Sequence, residues 1–312
     1  MSPRLHDAEV SIPLDAGWEM ASTPDPLLPE TLSGLRFIPA KVPSTVASAL
    51  RDQGAWHMGD GTRFDASEYW FRCRFDAEPT EAGEEIALRI GGIATVAEVW
   101  LNGEKILKSS SMFASNEVNV SALVRDRNEV LIVCRSLTAA MREQRRRPPA
   151  ARWRTRVVAE QQLRWFRTTF LGRAPGFARE PEPVGPWRPI TMVRRRRVVI
   201  ENWSRQADLD GTAGVIRFDV QMRSLQADAK PVAGRILSGD AEALLDLEQL
   251  GAKHHGRAVL RIPNAQRWWP HTHGEPALYA LQLELQLADG SIVTFDDLPV
   301  GFRPEAIASA GG

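Results

Sequence analysis

The sequence predicts an all-β protein of two domains. Helical periodicity is scarce, whereas short apolar runs bounded by Gly, Asn, Asp and Pro recur along the chain, which is typical of short strands. The run Tyr279–Leu287 alternates strictly, with four leucines on one face and polar side chains on the other, as in an antiparallel strand with one face in solvent. At roughly 150 residues per domain, the 312 residues indicate two domains.

Apolar runs and turn dipeptides place the individual elements. The predicted strands are Tyr69–Phe75, Glu85–Ile90, Ala94–Leu101, Val118–Val120, Val130–Arg135, Ile190–Arg194, Val215–Met222, Arg257–Ile262, Tyr279–Leu287 and Ser291–Phe295. Asn102-Gly103 and Asp289-Gly290 each separate two runs, and both dipeptides are favoured in two-residue hairpin turns. Two short connecting helices are predicted, over Ser44–Gln53 with Ser44 as N-cap and over Thr138–Arg146.

The charge is balanced overall but segregated along the chain. Thirty-nine basic residues match thirty-nine acidic ones, yet Arg142–Arg197 holds sixteen arginines against four acidic residues, a net charge of +12. The clusters Arg145–Arg147 and Arg194–Arg197 invite a nucleic-acid interpretation, but no nucleic-acid motif accompanies them and only five basic residues are lysine. We therefore expect a solvated face or a docking face for acidic protein surface, and no nucleic-acid partner.

Several other classes of function have no support. No apolar stretch approaches the ~20 residues of a membrane helix, so no membrane partner is expected. The first residues carry Asp7, Glu9 and Asp15 without a continuous apolar run, which predicts a cytoplasmic location. Cys73 and Cys134 each lie in an apolar strand-like run, which favours buried thiols over a disulfide or a nucleophile.

No metal or cofactor site is predicted. The pairs His254-His255 and His271-x-His273 lack a neighbouring cysteine or third ligand. Gly-x-Ser-x-Gly, phosphate-loop and Gly-x-Gly-x-x-Gly motifs are absent, so esterase, nucleotidase and dehydrogenase activities have no local support.

Ten tryptophans against two tyrosines are the most informative feature of the composition. Indole rings either fill large cores or stack on apolar faces of ligands such as sugar rings. Trp70, Trp100 and Trp203 lie in or beside strand-like runs, so burial is predicted for them. Trp153 and Trp165 lie among arginines in an irregular segment, where contact with a ligand or a partner is an equally good interpretation.

Seven segments occur in an order and spacing that together are specific. They are LDAGWEM (Leu14–Met20), KVPSTVASAL (Lys41–Leu50), SEYWFRCRF (Ser67–Phe75), GIATVAEVWLNGEKIL (Gly92–Leu107), VGPWRPI (Val184–Ile190), WWPHTHGEPALYALQLEL (Trp268–Leu285) and VGFR (Val300–Arg303). This series resembles the N-terminal region of family 2 glycoside hydrolases, particularly the β-mannosidase type. AEVWLNG and WWP-x-x-x-G-x-P-x-LY are the strongest parts of the resemblance.

The resemblance implies a specific architecture. Residues 1–195 would form a jelly-roll (galactose-binding-like) β-sandwich and residues 196–303 an immunoglobulin-like β-sandwich, with residues 304–312 as a frayed tail. In the family a (β/α)₈ barrel of about 250 residues with two catalytic glutamates follows. Only nine residues follow Arg303, so we expect the catalytic barrel to be absent from this chain.

The same resemblance bears on catalysis and sugar contact. The family's acid/base is the Glu of an Asn-Glu pair on a barrel strand, whereas Asn116-Glu117 and Asn128-Glu129 here adjoin sandwich strands, so no catalytic residue is predicted. β-Mannosidases also lend their active site a Gly-Trp-Asp-Trp-Gly-Pro loop. The corresponding stretch Leu163–Arg173 keeps Trp165 but lacks the Asp, so its arginines would suit an anionic or modified sugar, or an acidic barrel surface. The candidate sugar- or partner-binding residues are Arg164, Trp165, Arg167 and Arg173.

Three functions are consistent with these features. The favoured one is a non-catalytic half that supports O-glycoside hydrolysis with a barrel on a separate or downstream chain, with an oligosaccharide as a further possible partner. The alternative is a free-standing carbohydrate-binding module. The third is an intact enzyme with an unfamiliar site, for which Glu160, Glu180 and Glu182 are the carboxylates beside the arginine-rich stretch.

Overall fold

The computed structural model describes residues 4–5, 8–24, 26–145, 154–174 and 181–303. Most of their regular secondary structure is strand, arranged in four sheets, which confirms the all-β prediction. The strands are β1 (Arg4–Leu5), β2 (Glu9–Pro13), β3 (Trp18–Thr23), β4 (Ile38–Pro39), β5 (Glu68–Asp76), β6 (Glu84–Ile90), β7 (Val96–Leu101), β8 (Glu104–Ser109), β9 (Asn116–Asn119), β10 (Arg127–Arg135), β11 (Ile190–Arg196), β12 (Val198–Asp210), β13 (Ala213–Ser224), β14 (Pro231–Ser238), β15 (Ala241–Leu244), β16 (Asp246–Leu250), β17 (Lys253–Ile262), β18 (Tyr279–Leu287) and β19 (Ile292–Val300). The helices are α1 (Val46–Asp52), α2 (Leu137–Gln144) and the 3₁₀ turns Pro29–Gly34, Phe64–Ala66 and Gln161–Trp165.

The larger of two compact units comprises Ser11–Glu81 and Glu85–Arg194. It is a sandwich of two sheets, with strand orders β4-β3-β5-β10-β7-β8 and β2-β11-β6-β9. Strand β10 pairs with β5 on one side and β7 on the other, so it lies at the centre of its sheet. Its alternate residues Val130, Ile132 and Cys134 enter the main core, where they join Phe71 of β5 and Ile86 of β6.

The other face of the six-stranded sheet, which contains β5, β7 and β10, is also covered. Trp70 and Trp100 lie 5.6 Å apart between ring centroids and pack with Leu131, Val133 and Leu32, the last of which comes from the 3₁₀ turn after β3. Both tryptophans are buried, as predicted.

The second unit comprises the described residues of Met1–Val10, Ala82–Glu84 and Arg195–Gly312. Its two sheets have the orders β12-β13-β17-β16 and β1-β19-β18-β14-β15. The four leucines of β18 are buried in the core, as their alternation predicted. Glu284, which the pattern placed toward solvent, is instead buried, because Arg235 of the neighbouring β14 lies 2.7 Å from its carboxylate. Trp203 of β12 is only partly buried against this core, less than predicted.

Both predicted hairpins are present. Asn102 and Gly103 have φ values of 51° and 88° between β7 and β8, the positive values that a two-residue type I′ turn requires. The second connection is one residue longer than predicted. Leu287 N donates to Ser291 O (2.8 Å), which leaves Ala288, Asp289 and Gly290 in the turn.

The two predicted helices are present with shifted starts. The prediction of Ser44 as N-cap is wrong: Ser44 N donates to Pro186 O, and the N-cap is Thr45, whose Oγ1 accepts from Ser48 N at 3.3 Å. Helix α2 begins at Leu137, because Ser136 Oγ accepts the hydrogen bond of Ala139 N. A helix end is set by whichever hydroxyl faces the free N–H groups of the first turn.

Both cysteines are buried free thiols, as predicted. Burial raises the pKa of Cys73 to about 11 and that of Cys134 to about 12, so neither is a thiolate nucleophile near neutral pH. Within the described ranges, no helix has the length and apolar character needed to cross a membrane. The predicted frayed tail, residues 304–312, lies outside the described residues.

Candidate functional site

The candidate site is formed by residues 154–174, here called the arginine-rich loop, which includes the 3₁₀ turn Gln161–Trp165. A small apolar cluster, separate from the main core of the sandwich, supports this loop. Its buried members are Leu137 and Met141 of α2 and Val158, Leu163 and Ala174 of the loop. Because side chains at both ends and in the middle of the loop are buried together, the loop has a defined shape despite its lack of strands.

The amide of Gln161 fixes the first half of the arginine-rich loop. Its Oε1 accepts from Thr155 N (2.9 Å), and its Nε2 donates to the carbonyls of Thr155 and Val158 (2.9 Å each). The Arg164 guanidinium in turn donates to the Gln161 carbonyl. These bonds close residues 155–164 into a compact turn whose polar groups bond one another.

The second half of the loop is fastened to residues 111–112, which follow β8. Arg167 forms a parallel bridge with Ser111, and its carbonyl accepts from Met112 N at 2.9 Å. Thr168 Oγ1 lies 2.6 Å from Thr95 Oγ1. The backbone around Arg167 is therefore anchored to the jelly roll at two points.

A cavity of about 510 Å³, here called the loop cavity, opens between these anchored segments. Its apolar walls are Phe113, Val157, Val158, Leu163, Phe166 and Phe170, and its polar lining residues are Thr155, Gln161, Arg164, Arg167 and Thr168. Phe113 and Phe170 are 43% and 51% exposed, so two aromatic rings at the cavity are open to solvent. None of the described lining residues is acidic.

The structure divides the four predicted site residues among three environments. Arg164 and Arg167 both line the loop cavity. Trp165 does not line it; its indole is 44% exposed, and Nε1 donates to Gln162 Oε1 at 3.1 Å. Arg173 lines a different cavity, of about 390 Å³, beside α2.

Arg173 belongs to a buried ion cluster that sequence patterns did not reveal. Its Nε lies 3.1 Å from Asp65 Oδ2, and the two side chains are only 6% and 1% exposed. Burial lowers the pKa of Arg173, and Asp65 opposes that shift. Arg63 Nε contacts the buried Glu182 at 2.7 Å. Asp65 and Arg173 are 108 residues apart, so no local signal marks them as a pair.

The described carboxylates considered as catalytic candidates lie against arginines. Glu160 contacts Arg145 at 2.8 Å, and Glu182 contacts Arg63. Glu117 and Glu129, the acidic members of the two Asn-Glu pairs, make cross-strand pairs with Arg89 and Arg74 at 2.8 and 2.9 Å. Each of these contacts is one that holds a strand or loop in place.

Asn128 completes this assignment for the second Asn-Glu pair. It is buried, and its side chain binds the backbone of Arg125 and the amide of Asn102. The pair therefore shapes the turn before β10. Arg146, Arg147, Trp153 and Glu180, which the sequence singled out, lie outside the described residues.

The adjacent histidines His254 and His255 make contacts within the second sandwich. His255 Nε2 lies 2.7 Å from Asp219 Oδ2, and His254 lies 3.3 Å from Ser224 Oγ. No group of three or more His, Cys, Asp or Glu side chains that could hold a metal ion occurs in the part of the chain that the structure describes.

Two family models match the chain and together span most of it. The model of the glycosyl hydrolase 2 galactose-binding-like domain matches residues 18–188. The model of glycosyl hydrolases family 2 matches residues 198–303. Their order is the order of the two units of the structure.

Individual relatives are longer than this chain. β-Mannosidase B of Aspergillus terreus is 27% identical over 303 residues, which cover 85% of this chain and 32% of the relative. β-Glucuronidase of Felis catus is 26% identical over 234 residues, covering 73% and 33% respectively. The chain therefore spans about a third of the length of these relatives.

Solved structures share the fold. The β-D-mannosidase of Dictyoglomus thermophilum superposes with a TM-score of 0.75 at 22% identity, covering 94% of this chain and 36% of its own. The β-glucuronidase of Ruminococcus gnavus gives a TM-score of 0.61 at 18% identity, covering 97% and 47%. With the first family model matching more than half of the residues, the chain belongs to the family 2 glycoside hydrolases.

Proposed function

We propose that this chain supplies the non-catalytic sandwich domains of a family 2 glycosidase, and that O-glycoside hydrolysis takes place on a (β/α)₈ barrel outside these 312 residues. The observation that carries the proposal is the match of both sandwich domains to relatives named β-mannosidase and β-glucuronidase, of which the chain spans about a third. The barrel would come from a downstream or separate polypeptide and would be the main partner.

The chemistry of retaining glycosidases supports this division of labour. They need one carboxyl group as acid/base and a second as nucleophile, about 5 Å away. Glu160 and Glu182 contact arginines on different elements, and Glu117 and Glu129 complete strand pairs. The described carboxylates that the sequence offers as candidates therefore serve the sandwich.

The chain alone is expected to release no chromophore from aryl β-mannoside, β-glucoside, β-galactoside or β-glucuronide. The same chain, joined to or mixed with the polypeptide encoded downstream, is expected to hydrolyse at least one of them. Circular dichroism rich in β structure checks that the isolated chain is folded. Turnover by the chain alone that disappears in Glu160→Gln but persists in the matched Glu117→Gln would overturn the proposal.

The exposed Trp165 tests whether the arginine-rich loop docks on the barrel. Aromatic residues that become buried at the centre of an interface supply much of its affinity, whereas surrounding charge mainly speeds association. Trp165→Ala is expected to weaken a complex with the barrel by about 2 kcal/mol, measured by calorimetry. Raising the salt concentration is expected to slow association, because salt screens the basic stretch. An unchanged dissociation constant would remove Trp165 from the interface.

A free-standing carbohydrate-binding module is the second candidate function. It is favoured by the loop cavity, where the open rings of Phe113 and Phe170 offer stacking faces for a sugar. Glycan binding by the isolated chain, together with no gain of hydrolysis when the downstream polypeptide is supplied, would favour this function over the first.

A further inference from the structure

We propose that the loop cavity binds a sugar that carries a carboxylate, such as a uronic acid residue of an oligosaccharide. This inference rests on the proposed function, since it assumes that the domain takes part in glycoside hydrolysis, and it adds the class of sugar that is bound. Three features of the described residues carry it: open aromatic walls, a lining without acidic residues, and one guanidinium that has no partner.

The aromatic wall is held in place although it is exposed. The Phe113 ring makes an edge contact with Trp187, with centroids 6.1 Å apart, and Trp187 Nε1 donates to the carbonyl of Met112 at 2.8 Å. Phe170 is carried by the anchored second half of the arginine-rich loop. A volume of about 510 Å³ lies within the usual range of small-molecule sites, roughly 300–1,000 Å³.

The polar groups of the cavity lining are mostly used within the protein. The Gln161 amide bonds residues 155 and 158, and Arg164 bonds Gln161. The Thr155 hydroxyl accepts from Val157 N, and the Thr168 hydroxyl bonds Thr95. A ligand would therefore meet apolar walls and few free hydrogen-bonding groups.

Arg167 is the exception. Its backbone is fixed by Met112, but its exposed side chain makes no ion pair or hydrogen bond with the residues that the structure describes. By contrast, Arg72 pairs with Glu19 and Arg89 pairs with Glu117 on the sheets of the same unit. A guanidinium without a carboxylate beside an apolar wall is suited to a ligand that brings its own carboxylate, because the two groups form paired hydrogen bonds in one plane.

Together these features would recognise both the pyranose ring and the carboxylate of a uronic acid. The ring face of a pyranose packs on the phenylalanines, while its carboxylate reaches Arg167. A neutral sugar would use only the aromatic wall, and a simple carboxylate would use only the arginine. An acidic protein segment would place a carboxylate at Arg167 without a sugar ring on Phe170.

The test is calorimetric titration of the full 312-residue chain with methyl β-D-glucuronide, methyl β-D-glucoside and sodium acetate. The glucuronide is expected to bind at least about tenfold more tightly than either of the others, the factor associated with a charge-assisted hydrogen bond. Arg167→Gln is expected to reduce glucuronide binding to the level of the glucoside. The matched control is Arg156→Gln, an exposed arginine of the same loop that does not line the cavity, and it should keep the preference.

A second variant, Phe170→Ala, is expected to weaken both glycosides about equally. The inference is overturned if neither glycoside binds, if glucuronide and glucoside bind alike, if acetate binds as tightly as glucuronide, or if the preference survives Arg167→Gln. Failure of the proposed function has a different signature. It would appear as a uronide preference with no hydrolysis after addition of the downstream polypeptide, whereas hydrolysis without the preference would sink only the present inference.

Discussion

Replacing Arg173 by methionine is expected to lower the free energy of unfolding by about 3–5 kcal/mol, measured by urea denaturation. The substitution leaves Asp65, whose side chain is 1% exposed, without its closest cation. A buried carboxylate that loses its partner keeps the full cost of its desolvation. Arg63 is a weak substitute, because it lies 3.6 Å from Asp65, is largely exposed and is bound to Glu182.

Arg145→Met is the matched control for Arg173→Met. Arg145 pairs with Glu160 at the same cavity, but the two side chains are 61% and 48% exposed. Exposed pairs contribute little, so a loss below about 1 kcal/mol is expected. Equal losses in the two variants would contradict a structural role for Arg173. A loss of glycan binding at unchanged stability would instead support the sugar contact that the sequence suggested for Arg173.

Trp70→Ala is expected to cost about 3–5 kcal/mol of unfolding free energy, the usual range for removing a large buried aromatic side chain. Trp70 is fully buried and packs on Trp100, and Arg135 lies over its ring at 5.5 Å. Alanine would leave a void between the six-stranded sheet and the segment around Leu32 that covers it. Chemical denaturation followed by circular dichroism measures the loss without relying on tryptophan fluorescence.

Trp165→Ala provides the comparison, because the same substitution is made at an indole that is 44% exposed. Its expected cost is below about 1 kcal/mol, since little packing is removed. Similar losses of unfolding free energy in Trp70→Ala and Trp165→Ala would mean that Trp165 is part of the core. In that case the arginine-rich loop would lose its main aromatic candidate for partner contact.

The strands that were predictable from the sequence are those with a long apolar or alternating run. Strand β18 has the predicted limits, and β5 and β10 extend the predicted runs by a few residues. The missed strands include β2, β12, β15 and β16, which lie at the edges of sheets, and also β3 and β14, which lie inside theirs. The interior pair have the sequences WEMAST and PVAGRILS, in which Ala, Glu, Pro and Gly weaken the strand pattern. An edge strand is defined by backbone hydrogen bonds on one side, and its side chains need not alternate between core and solvent. Every residue of β2 is exposed, for example.

The candidate site was predictable only in its local part. Arg164 and Arg167 are three residues apart and line one cavity, as a short loop allows. Phe113, which lines the same cavity, comes from a segment about fifty residues earlier. Asp65, which pairs with Arg173, is 108 residues away from it in the sequence. These long-range contacts depend on how the sheets pack, which cannot be read from residue spacing or composition. The resemblance identified the loop, but only the geometry separates Arg164 and Arg167, which line the cavity, from Arg173, which is buried against Asp65.

The five-residue cluster that supports the arginine-rich loop bears on which positions of the domain can be substituted without loss of stability. Leu163 and its neighbours form a cluster of their own, apart from the residues that hold the two sheets together. Arg167 and Phe170 belong to neither cluster, so exchanges at these two positions are expected to cost little stability. The exposed part of the cavity lining is therefore separable from the packing of the domain, whereas Val158 and Leu163 belong both to the cavity wall and to the cluster.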